Sequence, residues 1–221
     1  MLDDAADFVR LQTAFYLHYD ELFDQIPANT VMLPQRTPGG LTSQWSSVGR
    51  FDITADDAVI VTVKPAHAAG YQSFELANPW LQSLEFVHHQ SSLNVKQARV
   101  DADGLVRHVV SLVDPAVPNW VDPVAHSHGV IFERWQKMAA VLTPDEHPST
   151  HVVRLSQLRR ALPADTPSVT PAERAQSLHR RALGVEARFE RTDPSRPELE
   201  RRIAQLRRVV AQPIPGLSRG E

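Results

Sequence analysis

The middle of the chain consists of seven short segments with two-residue periodicity and no helical pattern between them. They are Gln44–Asp52, Ala58–Lys64, Tyr71–Leu76, Leu81–His88, Gln97–Val100, Leu105–Val113 and Gly129–Trp135. Successive strand residues point to opposite faces, so Val59, Val61 and Val63 share one face of their strand. Turn-forming residues separate the segments, and Asp103-Gly104 predicts the clearest hairpin turn. This spacing favours an antiparallel, jelly-roll-like β-sandwich over a parallel sheet, whose strands need helical crossovers.

A helical pattern precedes the sandwich, from Asp4 to Ile26. Its apolar residues recur at three- and four-residue steps: Ala5, Phe8, Leu11, Phe15, Tyr19, Leu22 and Ile26. Pro27 ends the pattern, and a linker rich in turn formers follows. We expect the apolar face to be buried, most simply by a helix packed on the sheet. The other candidates for covering it are a partner helix or a segment upstream of Met1, which does not look like a natural domain start.

The chain becomes helical again after the sandwich. Val152, Leu155, Leu158 and Leu162 predict a short helix, and Thr170 to Glu173 form a capping box that opens a second helix ending near Phe189. A last helix carries Leu199, Ile203, Leu206 and Val210 on one face and Arg201, Arg202, Arg207 and Arg208 on the other. The predicted organisation is an N-terminal amphipathic helix (1–27), a β-sandwich (28–140), an Arg-rich helical extension (141–211) and a flexible tail (212–221).

Charge divides the chain into two halves. Residues 1–150 have a net charge of -9, whereas residues 151–221 have a net charge of +6 and contain 14 Arg and no Lys. The arginines are interleaved with acidic and apolar residues rather than with aromatic ones, which favours a solvated helical face docked on the acidic half over nucleic-acid binding. Cysteine is absent, so disulfides and thiolate chemistry are excluded. The acidic start and the lack of a bilayer-length apolar run predict a cytoplasmic protein without a membrane span.

Several short motifs, in order, resemble the domain-of-unknown-function 1214 family. They are Pro38-Gly39-Gly40, Tyr71-Gln72-Ser73-Phe74-Glu75-Leu76 with Trp80, His89-Gln90-Ser91-Ser92-Leu93, Asp103-Gly104, and Asp114-Pro115 through Asn119-Trp120 to Arg134-Trp135. The resemblance covers residues from about Ala28 to Trp135, roughly half of the chain. It implies a bacterial, jelly-roll-like domain that often ends a longer protein, and it brings no established reaction. The resemblance implies a region upstream of Met1, so we expect this chain to be a short version of the usual architecture. The Arg-rich extension lies outside the resemblance.

Four histidines are the candidate metal ligands. His126 and His128 would share one side of an extended segment, while His88 and His89 lie near a strand end. A metal site would need a third ligand such as Glu85 or Asp122. The alternative is that all four histidines are solvated or hydrogen-bonded in loops. The spacing lacks a known metal motif, so we predict no cofactor.

Hydrolytic chemistry has weaker sequence support. Ser91 or Ser92, a nearby histidine and Asp114 could form a nucleophilic triad, but no Gly-x-Ser-x-Gly motif is present. Paired aspartates lie in turns, where they bind local backbone amides. No catalytic residue can therefore be named.

Aromatic and amide side chains give the candidate ligand-binding residues. These are Trp80, Gln90, Asn119, Trp120 and Arg134, which could line a groove that stacks on and hydrogen-bonds a ligand. For each residue a structural role is the alternative. Trp120 would plug a corner, Asn119 would tie down a turn, and Arg134 would pair with Asp114 or Asp122. Trp135 is expected in the core.

The sequence therefore favours a non-catalytic binding module, taking a small-molecule or protein ligand and self-associating through its helices. The alternative is a hydrolytic or metal-assisted enzyme that uses the histidine region.

Overall fold

The computed structural model describes residues 2–36 and 41–192 of the chain. Its helices are α1 (Leu2–Asp24), α2 (Leu158–Ala161) and α3 (Pro171–Thr192). The strands are β1 (Thr30–Val31), β2 (Gln35–Arg36), β3 (Trp45–Asp52), β4 (Asp57–Val63), β5 (Ala69–Ala77), β6 (Ser92–Asn94), β7 (Val106–Val110), β8 (Trp120–Val121), β9 (His128–Met138) and β10 (Ser149–Arg154). The predicted last helix, the predicted tail and the Pro38-Gly39-Gly40 motif lie outside the described residues.

Contacts divide the chain into two units. The first unit, residues 1–178, contains all the strands named above, α1, α2 and the start of α3. The described part of the second unit is the rest of α3, residues 179–192. The start of α3 is the capping box that the sequence predicts: the Thr170 N–H donates to the Glu173 carboxylate over 2.8 Å, and the Glu173 N–H donates to the Thr170 hydroxyl over 3.2 Å.

Two sheets form the first unit. Sheet A has the strand order β1-β3-β9-β5-β6, with β2 also paired to β3, and sheet B has the order β10-β4-β7-β8. The strands pair antiparallel except β7 and β8, which run parallel. The prediction of a mainly β, antiparallel fold flanked by helices is confirmed. Sheet A is not closed into a barrel, because its path ends at β1 and β6.

The main core lies between the sheets. Phe51, Phe74, Ile131 and Trp135 of sheet A and the Val59-Val61-Val63 row of sheet B are almost completely buried there. A second apolar cluster covers the outer face of sheet B, where Ile60 and Val109 pack against Leu158 of α2. Strand β4 is therefore buried on both faces, which explains its nearly continuous apolar sequence.

Some predicted elements are wrong. The segment Leu81–His88 is a loop with a single bridge between Ala77 and Ser83, and Gln97–Val100 is irregular apart from a turn. The predicted helix beginning near Val152 is instead strand β10, followed by a helical turn and α2. Pairing with β4 explains that difference, because sheet hydrogen bonds to residues 57–62 outweigh the weak helical pattern of a short segment.

Candidate functional site

Helix α1 leaves most of its apolar face uncovered. We call Phe8, Leu11, Phe15, Tyr19 and Leu22 the α1 stripe. Phe8 is 64% exposed, Leu11 is 70% exposed and Phe15 is 50% exposed. The expectation that the sheet buries this face is therefore wrong for most of its length. In the described part of the chain, helix-to-sheet packing is concentrated in the C-terminal half of α1, so the first turns of the helix have no sheet beneath them.

Three contacts attach α1 to sheet A and its loops. Phe23 packs on a small apolar cluster on the outer face of the sheet that includes Val130 and Phe132. The Tyr16 ring meets the Trp80 ring edge-on, with 6.2 Å between centroids. The Arg50 guanidinium donates to the Asp24 carboxylate over 2.5 Å. These contacts set the helix over the sheet at one end and leave space beside it.

That space is a groove with a volume of about 830 Å³ between α1 and the outer face of sheet A. We call it the α1 groove. Phe15, Tyr19 and Leu22 of the stripe form one wall, and Val48 and Phe132 form part of the floor. The other lining residues are Phe23, Gln25, Ile26, Pro27, Thr30, Val31, Met32, Gln35, Gln44, Ser46, Leu81 and Arg134. The lining is mainly apolar, and its volume lies in the range of ligand sites.

The strand register gives the floor an apolar part and a polar part. Val48 of β3 pairs with Phe132 of β9, and two residues along the same face Ser46 pairs with Arg134. Gln35 of β2 pairs with Ser46 from the other side, which places a polar row across three strands. A partner can therefore bury apolar side chains at one part of the groove and make hydrogen bonds at the other.

Arg134 is the one sequence-predicted ligand-binding residue that lines the α1 groove. Its guanidinium contacts the Glu75 carboxylate over 2.5 Å and lies 4.3 Å from the centre of the Phe132 ring. The partner is Glu75 rather than Asp114 or Asp122, because β5 and β9 are neighbours in sheet A. Arg134 thus has its charge paired while remaining 27% exposed in the groove.

Trp80 lies at the edge of the α1 contact instead of inside the groove. Its side chain is half exposed and touches Tyr16. This position suits a residue that holds the helix in place while presenting an aromatic surface to solvent.

Gln90, Asn119 and Trp120 are buried, do not line the α1 groove, and hold the connection between Asp114 and Trp135. The Gln90 amide donates to the Pro118 carbonyl over 3.1 Å. Asn119 makes two 2.8 Å hydrogen bonds to the backbone of Arg99, and the Trp120 indole N–H donates to the Ser111 carbonyl over 2.9 Å. These contacts match the structural roles predicted as alternatives, in which Asn119 ties down a turn and Trp120 plugs a corner.

Arg174, at the start of α3, clamps the same connection. It is 7% exposed, contacts both oxygens of Asp114 over 2.9 and 3.2 Å, and donates to the Val117 carbonyl over 2.6 Å. Its guanidinium also lies 5.2 Å from the Trp120 ring centre. Asp114 is therefore engaged by an arginine rather than by a histidine.

The four candidate metal ligands have separate surroundings. The ring of His89 donates from Nδ1 to the Asp122 carboxylate over 2.7 Å, and His88 lies 3.5 Å from Glu85. The His126 Nδ1 lies 2.9 and 3.0 Å from two carbonyl oxygens of its own loop, so this nitrogen carries the proton. Within residues 2–36 and 41–192, no three His, Asp or Glu side chains are placed to hold a metal ion.

His128 lines a smaller cleft of about 190 Å³ at the C-terminal end of α1. Asp20, Asp24, Arg50 and Asp52 also line it. The Arg50–Asp24 pair crosses this cleft, so the cleft belongs to the attachment of the helix.

Ser91, one of the two serines considered as a nucleophile, is turned inward. Ser91 is 1% exposed, and its hydroxyl donates to the carbonyl oxygens of Leu84 and Glu85. A hydroxyl that donates to backbone carbonyls has no proton for a neighbouring base. The geometry at Ser91 is that of a structural turn.

Glu133 and His108 are buried ionisable groups between the sheets that were not predicted from the sequence. Glu133 is 1% exposed; burial raises its pKa to about 8, although a hydrogen bond from Gln72 opposes the shift. Burial lowers the pKa of His108 to about 3, and its ring stacks on Phe74 at 4.3 Å. Both groups line a small gap between the sheets. The sequence contained a signal for the burial of Glu133. The two-residue period of β9 places Glu133 on the same core-facing side as Ile131 and Trp135.

The α1 groove was also not predicted from the sequence. Phe132 and Val48 are apolar residues on the strand face opposite the core, which indicates that something covers that face. None of the described helices has the length and apolarity to cross a bilayer.

Comparison with known proteins gives structural neighbours only. No family model matches the chain, and no curated protein matches it. The chain is similar to the crystal structure of an uncharacterised protein from Burkholderia cenocepacia, with a TM-score of 0.56 and 26% identity over 62% of this chain and 39% of that one. A weaker similarity, with a TM-score of 0.37 and 15% identity, links 49% of the chain to 30% of the VPA0106 protein from Vibrio parahaemolyticus. The chain thus spans well under half of each neighbour.

Proposed function

We propose that the protein is a non-catalytic interaction module that binds an amphipathic helix of another polypeptide in the α1 groove. The observation that carries the proposal is the exposed α1 stripe beside a large apolar groove. Monomeric proteins rarely leave continuous apolar surfaces of this kind uncovered, and such surfaces mark interaction sites.

The length of the stripe favours a polypeptide over a small molecule. Phe8 and Leu22 are separated by fourteen residues of α1, which corresponds to about 21 Å along the helix axis. A partner helix of about four turns matches this length and presents anchors at i, i+3, i+4 and i+7. A small ligand would fill the groove near Leu22 and leave Phe8 and Leu11 in solvent.

Burial of the stripe supplies a useful binding free energy. Phe8, Leu11, Phe15 and Leu22 are each between 42% and 70% exposed. Completing their burial contributes about 4 kcal/mol, taking about half of the full transfer free energy of each side chain. Gln35 and Arg134 in the polar row add hydrogen-bonding groups that orient the partner.

A fluorescently labelled peptide tests this proposal. An 18-residue amphipathic helix with leucines on one face and glutamines on the other should raise its anisotropy when the full chain is titrated in. Phe15→Ala should weaken binding at least about fivefold, since an aromatic anchor is worth about 1 kcal/mol or more. The matched control is Phe189→Ala, which removes a phenylalanine of similar exposure from α3. Equal binding by the two variants, or none by the parent chain, contradicts the proposal.

An enzyme remains the second candidate because of one observation, the 2.7 Å contact between His89 and Asp122. A carboxylate on Nδ1 orients an imidazole for proton transfer at Nε2. The assay is hydrolysis of p-nitrophenyl acetate by the parent chain and by His89→Ala. A rate that falls to background in the variant supports hydrolysis, and identical rates reject this candidate.

Two sequence-based predictions accompany the proposal. We propose membership of the domain-of-unknown-function 1214 family on the motifs given above, and a cytoplasmic location on the absence of cysteine.

A further inference from the structure

We propose that the helix bound in the α1 groove has a basic polar face. This inference rests on the proposed function and specifies its partner. Helix α1 carries six acidic residues, Asp3, Asp4, Asp7, Asp20, Glu21 and Asp24, against Arg10 alone. Its net charge is therefore -5 over 23 residues, concentrated at the two ends of the exposed stripe.

Three acidic residues in the last turns of α1 lie where the helix macrodipole disfavours negative charge. Negative charge near a helix C-terminus faces the negative end of the macrodipole and costs about 0.3–1 kcal/mol per charge. Asp20, Glu21 and Asp24 occupy this position, and the last turn contains no basic residue. Asp24 is explained by its contact with Arg50. Asp20 lines the small cleft that also contains Arg50, whereas Glu21 is exposed and is explained by a partner that brings positive charge.

The nearby cations cancel only part of this field: Arg134 lines the groove, and Arg50 lines the smaller cleft. Arg134 is paired with Glu75, and Arg50 is paired with Asp24. Each pair is close to neutral when viewed from a distance. None of the six acidic residues of α1 lines the groove, but the helix that forms one of its walls has a net negative charge. This charge steers a basic amphipathic helix towards the groove and repels an acidic one.

The same charges disfavour a second copy of this chain as the occupant. Pairing two α1 helices would bring two segments of net charge -5 together. Like charges at an interface cost free energy and suppress self-association. A basic partner buries the same apolar stripe without that cost.

Two peptides with identical leucine faces test the inference. One carries lysines on its polar face and the other carries glutamates, and anisotropy is measured with the full chain at low and high salt. The lysine peptide should bind at least about tenfold more tightly in 50 mM NaCl, with most of this preference lost in 500 mM NaCl. Asp20→Asn combined with Glu21→Gln should reduce the preference about fivefold. The matched control for Glu21→Gln is Glu186→Gln on α3, also exposed, which should leave the preference intact.

The outcomes separate this inference from the proposed function. Equal binding of both peptides, weakened alike by Phe15→Ala, leaves the interaction module standing and overturns the basic partner. A preference that survives the double variant also overturns it. Binding of neither peptide overturns both ideas. A dimer in light scattering that dissociates in the Phe15→Ala variant identifies a second copy as the occupant and likewise overturns the basic partner.

Discussion

Glu133 provides the sharpest test of the sandwich interior. Its carboxyl group lies between the sheets, where the Gln72 amide donates to Oε1 over 2.8 Å. Its Oε2 has no partner among the described residues. Burial raises the pKa of Glu133 from 4.5 to about 8, so the folded protein keeps this group protonated at neutral pH.

The sign of the resulting pH dependence follows from proton uptake. Between pH 4.5 and pH 8 the folded state holds the Glu133 proton and the unfolded state releases it, so the free energy of unfolding falls as pH rises. The loss is about 3 kcal/mol at pH 7 and approaches about 5 kcal/mol above pH 8. Replacement by glutamine removes the titration while keeping an oxygen that can accept the bond from Gln72.

His108 acts in the opposite direction. Burial lowers its pKa from 6.5 to about 3, so stability is lost as pH falls from 6.5 towards 3. The two slopes cancel between pH 4.5 and pH 6.5, which predicts a plateau there. Above pH 6.5 the Glu133 slope acts alone.

Urea unfolding followed by tryptophan fluorescence measures these effects. The stability advantage of Glu133→Gln over the parent chain should grow by about 3 kcal/mol from pH 5.5 to pH 8.5. Glu186→Gln, an exposed control, should show no such growth. An advantage for Glu133→Gln that is the same at both pH values would refute the assignment of a buried, neutral carboxyl group.

Substitutions at three further positions test the framework by urea unfolding. Arg174→Ala should cost about 3 kcal/mol, because it leaves the Asp114 carboxylate unpaired, whereas Arg174→Lys should recover part of this loss. Gly129→Ala should cost about 2 kcal/mol, because its Cβ would lie 2.6 Å from the Ala77 carbonyl oxygen; a neutral result contradicts that packing. Asn119→Ala should cost about 2 kcal/mol by removing both hydrogen bonds to a neighbouring turn, and an unchanged midpoint would argue against them.

Local sequence patterns correctly predicted elements that depend on neighbouring residues, such as helix caps and turns, and strands with clear two-residue periodicity. Alternation identified β4 and β9, and the Thr170–Glu173 capping box gave the start of α3. Gly104 adopts a positive φ of 82° in a turn, as predicted. The hairpin predicted there is wrong, because residues 97–100 do not form a strand that pairs with β7. The structural roles of Asn119 and Trp120 were also foreseen as alternatives, because buried amide and indole groups must find partners nearby.

Long-range pairing decided the features that sequence patterns missed. Residues 149–154 form β10 because β4 offers a hydrogen-bonding edge, which a helical pattern does not reveal. Arg134 pairs with Glu75 because their strands are neighbours in sheet A, far apart in sequence. The register of β2, β3 and β9 likewise places Gln35, Ser46 and Arg134 in one polar row of the α1 groove.

The amino-acid sequence by itself determined that this protein is a β-sandwich with an amphipathic helix at its N-terminal end, because two-residue and 3.6-residue periodicities are local properties. It also determined that the helix has an apolar stripe flanked by acidic residues. Only the tertiary structure decided where the stripe lies. Packing at Phe23 and Tyr16 holds one end of α1 against sheet A, and the remaining stripe stays exposed beside an open groove. Burial depends on which surfaces meet across the whole fold, and periodicity does not contain that information.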